Sequence, residues 1–555
     1  MEKIFSPKLF SVLHKGYSKK MFQTDLMSGI IVGIVALPLA IAFAVASGVS
    51  PEKGLITAIV AGFIISFLGG SRVQIGGPTG AFIVVVAGIV NQYGMQGLLI
   101  STVLAGIMLV IFGLLKFGSV IKFIPHPLVV GFTSGIALTI FTTQIKDAFG
   151  LSISGDLPSD FIGKWGAYFA NFDTINWTAV VITLVTIFIS LFFKKITDKI
   201  PGSFVAIVLT TVAVAVFHLP VSTIETVFGE IPSSISIEFP SIDWSLIGNY
   251  IQPALTIAVL GAIESLLSAV VADGMIGGNH RSNTELIAQG IANIASPLFG
   301  GIPATGAIAR TATNVKNGGR TPVAGIVHAL TLLLIMLFFG SYAKLIPMSC
   351  LAGVLIVVAY NMSEWRSFVS ITKGSKYDTI ILVTTFLITV LVDLTYAIEV
   401  GMVMACLLFM QRMSKQCQVL TVTEGSDPLE NYSFLPKGID VYEISGPFFF
   451  GAAKKYREIL RGLASAHKVK VLVIRMRHVP FMDSTGINNF SAVIDEIHAV
   501  NVTIVLSGVN ESVRSELERS GLADKLDKLN ICSNFDIAKE RAKEVLQEIE
   551  SQENK

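Results

Sequence analysis

From Leu26 to Met410 the chain returns repeatedly to apolar stretches of helical length. Only after about Arg412 does it read like an ordinary soluble domain. About 20 apolar residues cross a bilayer as a helix. Inside the hydrocarbon, only helices and closed barrels keep their backbone groups bonded. Seven stretches run from Leu26–Ala46 to Val205–Phe217, and seven more from Pro253–Val271 to Ala397–Met410. The third of each set is short, Gly80–Val90 and Gly306–Val315. Two sets of seven place the halves in opposite orientation, the inverted-repeat plan of many secondary transporters. The predicted fold is therefore an α-helical polytopic membrane protein of about fourteen spans. A charged fraction of 14% fits, since soluble proteins carry about 25%.

Charges between the spans set the orientation. The even-numbered connections carry Arg72, Lys116 and Lys122, then Lys194, Lys195 and Lys199. Further on they carry His280, Arg281, Lys316, Arg320, Arg366, Lys373 and Lys376. The odd-numbered connections are poor in Lys and Arg. The long one after Phe217 holds Glu225, Glu230, Glu238 and Asp243. Basic loops stay in the cytoplasm. The segment 1–24, with Lys3, Lys8, Lys15, Lys19 and Lys20, and the C-terminal domain are thus expected on the cytoplasmic side of the inner (plasma) membrane. Met1–Gln23 lacks the pattern of a cleaved signal peptide. Gly150–Thr178 and Leu219–Tyr250 read as outer connectors. Cys350, Cys406, Cys417 and Cys532 show neither metal nor disulfide spacing. No metal cluster, nucleotide loop or nucleophile–base pair emerges. The chain is predicted to be neither an enzyme nor a nucleic-acid binder, and to need no cofactor beyond a coupling ion.

Two short stretches look like copies of each other. Gly76-Gly77-Pro78-Thr79-Gly80-Ala81-Phe82 opens the third span, and Gly301-Ile302-Pro303-Ala304-Thr305-Gly306-Ala307 opens the tenth. Paired breaks at corresponding places in two halves point to a transport site. A helix that starts in mid-membrane presents unpaired N–H groups and a positive dipole end, and two such starts face an anion well. Ser71-Arg72-Val73-Gln74-Ile75 reads as an extended lead-in, with Gly80 keeping the approach open and Ala81 and Phe82 offering N–H groups. Arg310 lies about one turn inside the tenth span. It is either a cation beside the anion or a side chain snorkelling to the cytoplasmic surface. In the first span, Pro38 bends the helix and frees a carbonyl. Gly29 and Gly33 permit close packing, and Leu39 and Phe43 can wall the site. Glu264 sits alone in the apolar eighth span, with Ser268 one turn on. An intramembrane carboxylate is a functional residue by default. It can hold sodium with a hydroxyl and carbonyls, take a proton, or pair structurally with Arg310. Asp273, farther along, reads as a solvated or capping group.

Ala36-Leu37-Pro38-Leu39-Ala40, Gly69-Gly70-Ser71-Arg72, Gly77-Pro78-Thr79-Gly80-Ala81 and the Glu264 span together resemble the sulfate permease (SulP) family of anion transporters. The resemblance covers nearly the whole chain. It implies fourteen spans in core and gate domains, with the anion between the starts of the third and tenth spans. Carried over, it selects Phe43, Gly80, Ala81, Phe82, Gly306, Ala307 and Arg310 for the anion. It assigns Glu264 and Ser268 to the coupling ion, sodium or a proton. Bicarbonate transporters of the family use an aspartate and a threonine for sodium there, where this chain has Glu and Ser.

The tail reads as one small α/β domain, 438–551, joined by 414–437 to a transporter domain at 25–413. Asp440–Ile444, Val469–Ile474 and Val502–Leu506 are predicted strands; Ala452–Ala464, Thr485–His498, Ser512–Arg519 and Asp536–Ile549 are predicted helices. Phe481-Met482-Asp483-Ser484-Thr485-Gly486 lies at a strand-to-helix turn and resembles the STAS domain. Asp483 is placed to cap. Ser484 matches the serine that related domains phosphorylate, which makes it a candidate regulatory site. The resemblance also implies dimer contacts or a regulatory partner, and hence a homodimer. The expected function is secondary active transport of a small anion, of the sulfate, bicarbonate or dicarboxylate class. It proceeds by symport with a proton or sodium and an elevator-type motion. A channel, a membrane sensor signalling through the tail and a nucleobase permease are the rival readings; a nucleobase has no need of Arg310.

Overall fold

The computed structural model describes residues 5–119, 124–153, 157–158, 160–196, 201–229, 247–392, 394–416, 418–421, 435–452, 456–458 and 469–553. The chain divides into two compact units, Met1–Val403 and Met404–Lys555. Lys122, Lys199, Glu230, Glu238, Asp243, Cys417 and most of the helix expected at Ala452–Ala464 lie outside the described residues.

The first unit is helical. Its main helices are α1 (Lys19–Ala46), α2 (Pro51–Leu68), α3 (Phe82–Leu114), α4 (His126–Phe149), α5 (Trp177–Phe192), α6 (Gly202–Phe217) and α7 (Ile247–Ile276). They continue with α8 (Ser282–Leu298), α9 (Ile308–Lys316), α10 (Val323–Phe339), α11 (Met348–Met362) and α12 (Lys376–Leu391). A last helix, α13 (Leu394–Gln416), runs on into the second unit. Each predicted span falls within one of these helices or its first turn. The third and fourth share α3, which turns at Gly94 (φ 68°, ψ −175°) without a separate loop. That backbone conformation suits glycine, which has no Cβ to clash. One expectation changes: Gly150–Thr178 is not a bare connector but contains the helix Phe161–Ala170, whose Tyr168 is buried.

Packing follows the repeat. α1 packs on α10 as α7 packs on α3; α2 packs on α10 as α8 packs on α3; α4 packs on α12 as α11 packs on α5. The helices sort into two groups with few contacts between them. One comprises α1–α3 and α7–α10, the other α4–α6, α11 and α12. Glycine makes the first group tight. A Cβ on Gly29 would meet the Ala324 carbonyl and Val327, and one on Gly33 would meet Thr331, so α1 needs both glycines against α10. Gly106 and Gly290 touch across α3 and α8 in the same way, each facing the other's carbonyl. Among the described residues, seven helices are long and apolar enough to cross a membrane, and α5, α6 and α10 are shorter apolar helices.

In the second unit, β3 (Gln418–Thr421) pairs antiparallel with β4 (Ile439–Ser445). Then β5 (Val471–His478), β6 (Thr503–Ser507) and β7 (Ile531–Cys532) follow in parallel order. The buried central strands alternate two apolar faces. Leu472, Ile474 and Leu506 pack toward α14 (Ser484–His498) and α15 (Glu511–Arg519); Val471, Val473 and Val505 pack on α16 (Phe535–Glu553). Asp483 caps α14, its Oδ1 accepting from the Gly486 N–H at 2.7 Å and its Oδ2 from Phe450 at 3.0 Å. Ser484, the first residue of α14, is exposed.

Candidate functional site

The two breaks meet. β1 (Gly76–Gly77) and β2 (Thr305–Gly306) pair antiparallel inside the first unit, Gly76 opposite Gly306 and Gly77 opposite Thr305. Gly76-Gly77-Pro78 resists helix formation, so each non-helical segment must find partners elsewhere for its buried N–H and C=O groups. Part of them come from the other segment: the Ala307 N–H donates to the Ile75 carbonyl at 2.8 Å. The rest come from side chains. The Ile75 N–H donates to Thr311 Oγ1 at 3.0 Å, and Asn314 Nδ2 to the Val73 carbonyl at 2.8 Å. Glu285 Oε2 accepts from Gly70 and Ser71 at 2.8 and 3.0 Å. On the other break, Asn293 bonds both the N–H and the carbonyl of Ala304, and Thr57 Oγ1 accepts from Ile302 at 2.7 Å.

Beyond the strands the two helices begin. Phe82, expected to offer its N–H group, instead donates it to the Thr79 carbonyl in the turn that starts α3; the N–H groups of Gly80 and Ala81 have no partner among the described residues. Gly306 and Ala307 differ from expectation. Their N–H groups are already bonded, to Ser265 Oγ and the Ile75 carbonyl. The unpaired donors of this half are the first N–H groups of α9, from Ile308 to Arg310. Gly80 faces Met362 and Ile140 of the other helix group, at 2.8 and 3.6 Å from a built Cβ. Phe43 and Phe82 are buried, and Phe82 lies against Gly261 of α7.

Arg310 does not snorkel. It is 1% exposed, its Nη2 donates to the Pro78 carbonyl, and its Nη1 rests against Gly77. The cation of the second break therefore reaches across and holds the first. Glu264, half-buried, accepts from Thr79 Oγ1 at 2.8 Å and lies within electrostatic reach of Arg310 without a direct ion pair. Ser268, one turn along α7 from Glu264, has its hydroxyl 3.4 Å from Thr311 Oγ1. The hydroxyl that does reach Glu264 is Thr79, which sequence reasoning treated only as part of a break. Ser265 and Thr305, 2.6 Å apart, also went unread. The available signal was a row of small polar residues on an apolar helix, Ser265 and Ser268 on α7. Asp273 caps the turn after α7 by accepting from the His280 N–H at 2.7 Å.

A cavity of about 1110 Å³ opens between the two helix groups and reaches Ile83 and Val84 in the first turn of α3. Ser47, Asn91, Thr142, Gln144 and Lys164 are among the polar residues on its wall.

The arrangement is a pair of opposed helix starts with one buried cation and one carboxylate. Residues 22–385 match the sulfate permease family and residues 436–538 the STAS domain. The chain belongs to the sulfate permease family. Its relatives are named transporters, and the chain is an anion transporter of this family. It is 40% identical to YvdB of Bacillus subtilis (strain 168), a candidate sulfate transporter, over 95% of this chain and 99% of that protein. It is 31% identical to the bicarbonate transporter BicA of Picosynechococcus, over 89% and 90% of the two chains. In fold it matches the murine Slc26a9 anion transporter in its inward-facing state, with a TM-score of 0.87 at 19% identity, over 96% and 93% of the two chains.

Proposed function

We propose that the chain is a secondary active transporter of a small anion, of the sulfate, bicarbonate or dicarboxylate class, working as a symporter. The anion sits between the starts of α3 and α9. Gly80 and Ala81 and the first turn of α9 give it N–H groups, Phe43 and Phe82 wall it, and Gly306 and Ala307 shape the second start. Arg310 supplies the positive charge from behind Pro78. Glu264 binds the coupling ion, a proton or sodium. Ser268 enters sodium coordination only if the Thr311 contact opens. The observation that carries this reading is the Thr79–Glu264 hydrogen bond, since it joins the carboxylate of the eighth span to the break that holds the anion. An anion that alters the Thr79 segment then alters the ion affinity of Glu264, and the reverse holds by linkage.

The sparse contact between the two helix groups supports an elevator or rocking motion, with α1–α3 and α7–α10 moving as one body. The basic connections support a cytoplasmic N-terminal segment and STAS domain, with the transporter in the plasma membrane. The STAS domain serves a homodimer or a regulatory partner, with Ser484 open to phosphorylation. Uptake of labelled sulfate, bicarbonate or a dicarboxylate into liposomes, under an imposed proton or sodium gradient, tests the coupling. Wild type concentrates its anion and Glu264→Ala does not. Gradient-driven uptake in the variant would remove Glu264 from the coupling role.

A further inference from the structure

His328 lies in α10 with 0% exposure, and neither ring nitrogen makes a well-formed hydrogen bond among the described residues. A neutral imidazole carries one donor and one acceptor, and a buried polar group left unbonded is destabilising. Its neighbours Ala324, Ala329 and Leu332 are buried and apolar, so packing alone would favour an apolar residue here.

The surroundings supply a reason. β1 runs along α2, with the Gly76 carbonyl near Gly62 and Gly77 near the Ala58 α-carbon. Ala58 and Gly62 are one turn apart and share a face of α2. The His328 ring touches this strip at Gly62, its Cε1 and Nδ1 standing 3.4 and 3.6 Å from a built Cβ. Arg310 touches the same strip at Gly77 with Nη1, which is buried and has no partner either. The charge of Arg310 acts on the ring, and the Gly325 carbonyl, one turn earlier on α10, lies within its reach. A guanidinium only donates, whereas a neutral imidazole nitrogen accepts. The two unpartnered groups are therefore complementary.

We propose that His328 is a positioning residue for the anion site. One ring nitrogen accepts from Arg310 Nη1 through one shared water, and the other donates toward the Gly325 carbonyl. The guanidinium is then fixed at both ends, Nη2 by Pro78 and Nη1 by His328. Its charge stays aimed at the starts of α3 and α9, and α10 takes part in anion recognition without touching the anion. This rests on the reading of Arg310 as the cation of the site.

The test uses full-length protein in liposomes and initial uptake rates against concentration for labelled sulfate, bicarbonate and a dicarboxylate. His328→Leu keeps bulk and removes the acceptor; His328→Gln restores an acceptor. His328→Leu should raise KM about tenfold with the maximal rate and Tm nearly unchanged, while His328→Gln stays within about threefold of wild type. An unchanged KM in a folded His328→Leu protein, or equal rises in both variants, overturns the proposal. If His328→Leu does not fold, His328→Gln decides alone: a KM near wild type sustains the role and about a tenfold rise overturns it. A wild type that takes up none of the three anions refutes the transport reading itself, and this proposal falls with it.

Discussion

The two breaks share a scaffold and differ in chemistry. Each is braced by the opposite half of the chain. The first is held by Glu285, Thr311 and Asn314, and the second, at Ile302, by Thr57 of α2. They then diverge. The first leaves two unpaired N–H groups at Gly80 and Ala81 and places the Thr79 hydroxyl on Glu264. The second bonds its strand N–H groups and contributes Arg310 instead. An inverted repeat thus fixes where two helix starts meet, while a few side chains decide what each start offers. The first break links anion to coupling ion; the second supplies the charge.

The strongest way to break this comparison is to remove one brace from each side. Glu285→Ala strands two buried N–H groups of the first break, and Asn293→Ala strands the Ala304 N–H and carbonyl of the second. Each should cost about 2–4 kcal/mol, read as a comparable fall in Tm or loss of folded protein. If one is neutral, the bracing is not shared. Arg310→Ala comes next. It should raise the anion KM by about a hundredfold, or roughly 2.7 kcal/mol, because among the described residues Arg310 is the fully buried cation at the breaks. A smaller effect comes from Ala81→Pro. Ala81 has φ −61°, which proline can adopt, so the change removes one N–H with little strain. It should raise KM about tenfold. Thr79→Val should be mildest for the anion, with KM about threefold higher, but it should shift the gradient dependence of uptake because Glu264 loses its donor. Equal effects of Thr79→Val and Ala81→Pro on both readouts would erase the distinction between anion and coupling roles.

Much of this was legible in the sequence. Gly and Pro marked both breaks, and hydropathy gave the spans. Glu264 and Arg310 stood out because a charge in an apolar run is rare. Direction was harder. Glu264 and Ser268 share a face of α7, and their partners, Thr79 on one and Thr311 on the other, come from the two breaks and are far away in sequence. Gly306 and Ala307 are selected for the anion by the family resemblance; partners far away in sequence, the Ser265 hydroxyl and the Ile75 carbonyl, bond their N–H groups. Thr79, Asn293 and His328 were invisible for the same reason, since their roles depend on partners far away in sequence.

The central claim is that the anion lies between the opposed starts of α3 and α9. The most direct measurement is a cryo-EM map of the full-length protein with the anion that the uptake assay identifies, beside a map of Arg310→Ala under the same conditions. Density within hydrogen-bond distance of the Gly80 and Ala81 N–H groups and the first turn of α9, lost in the variant, is the predicted result. Density only in the cavity near Asn91 and Lys164, unchanged by Arg310→Ala, would contradict it.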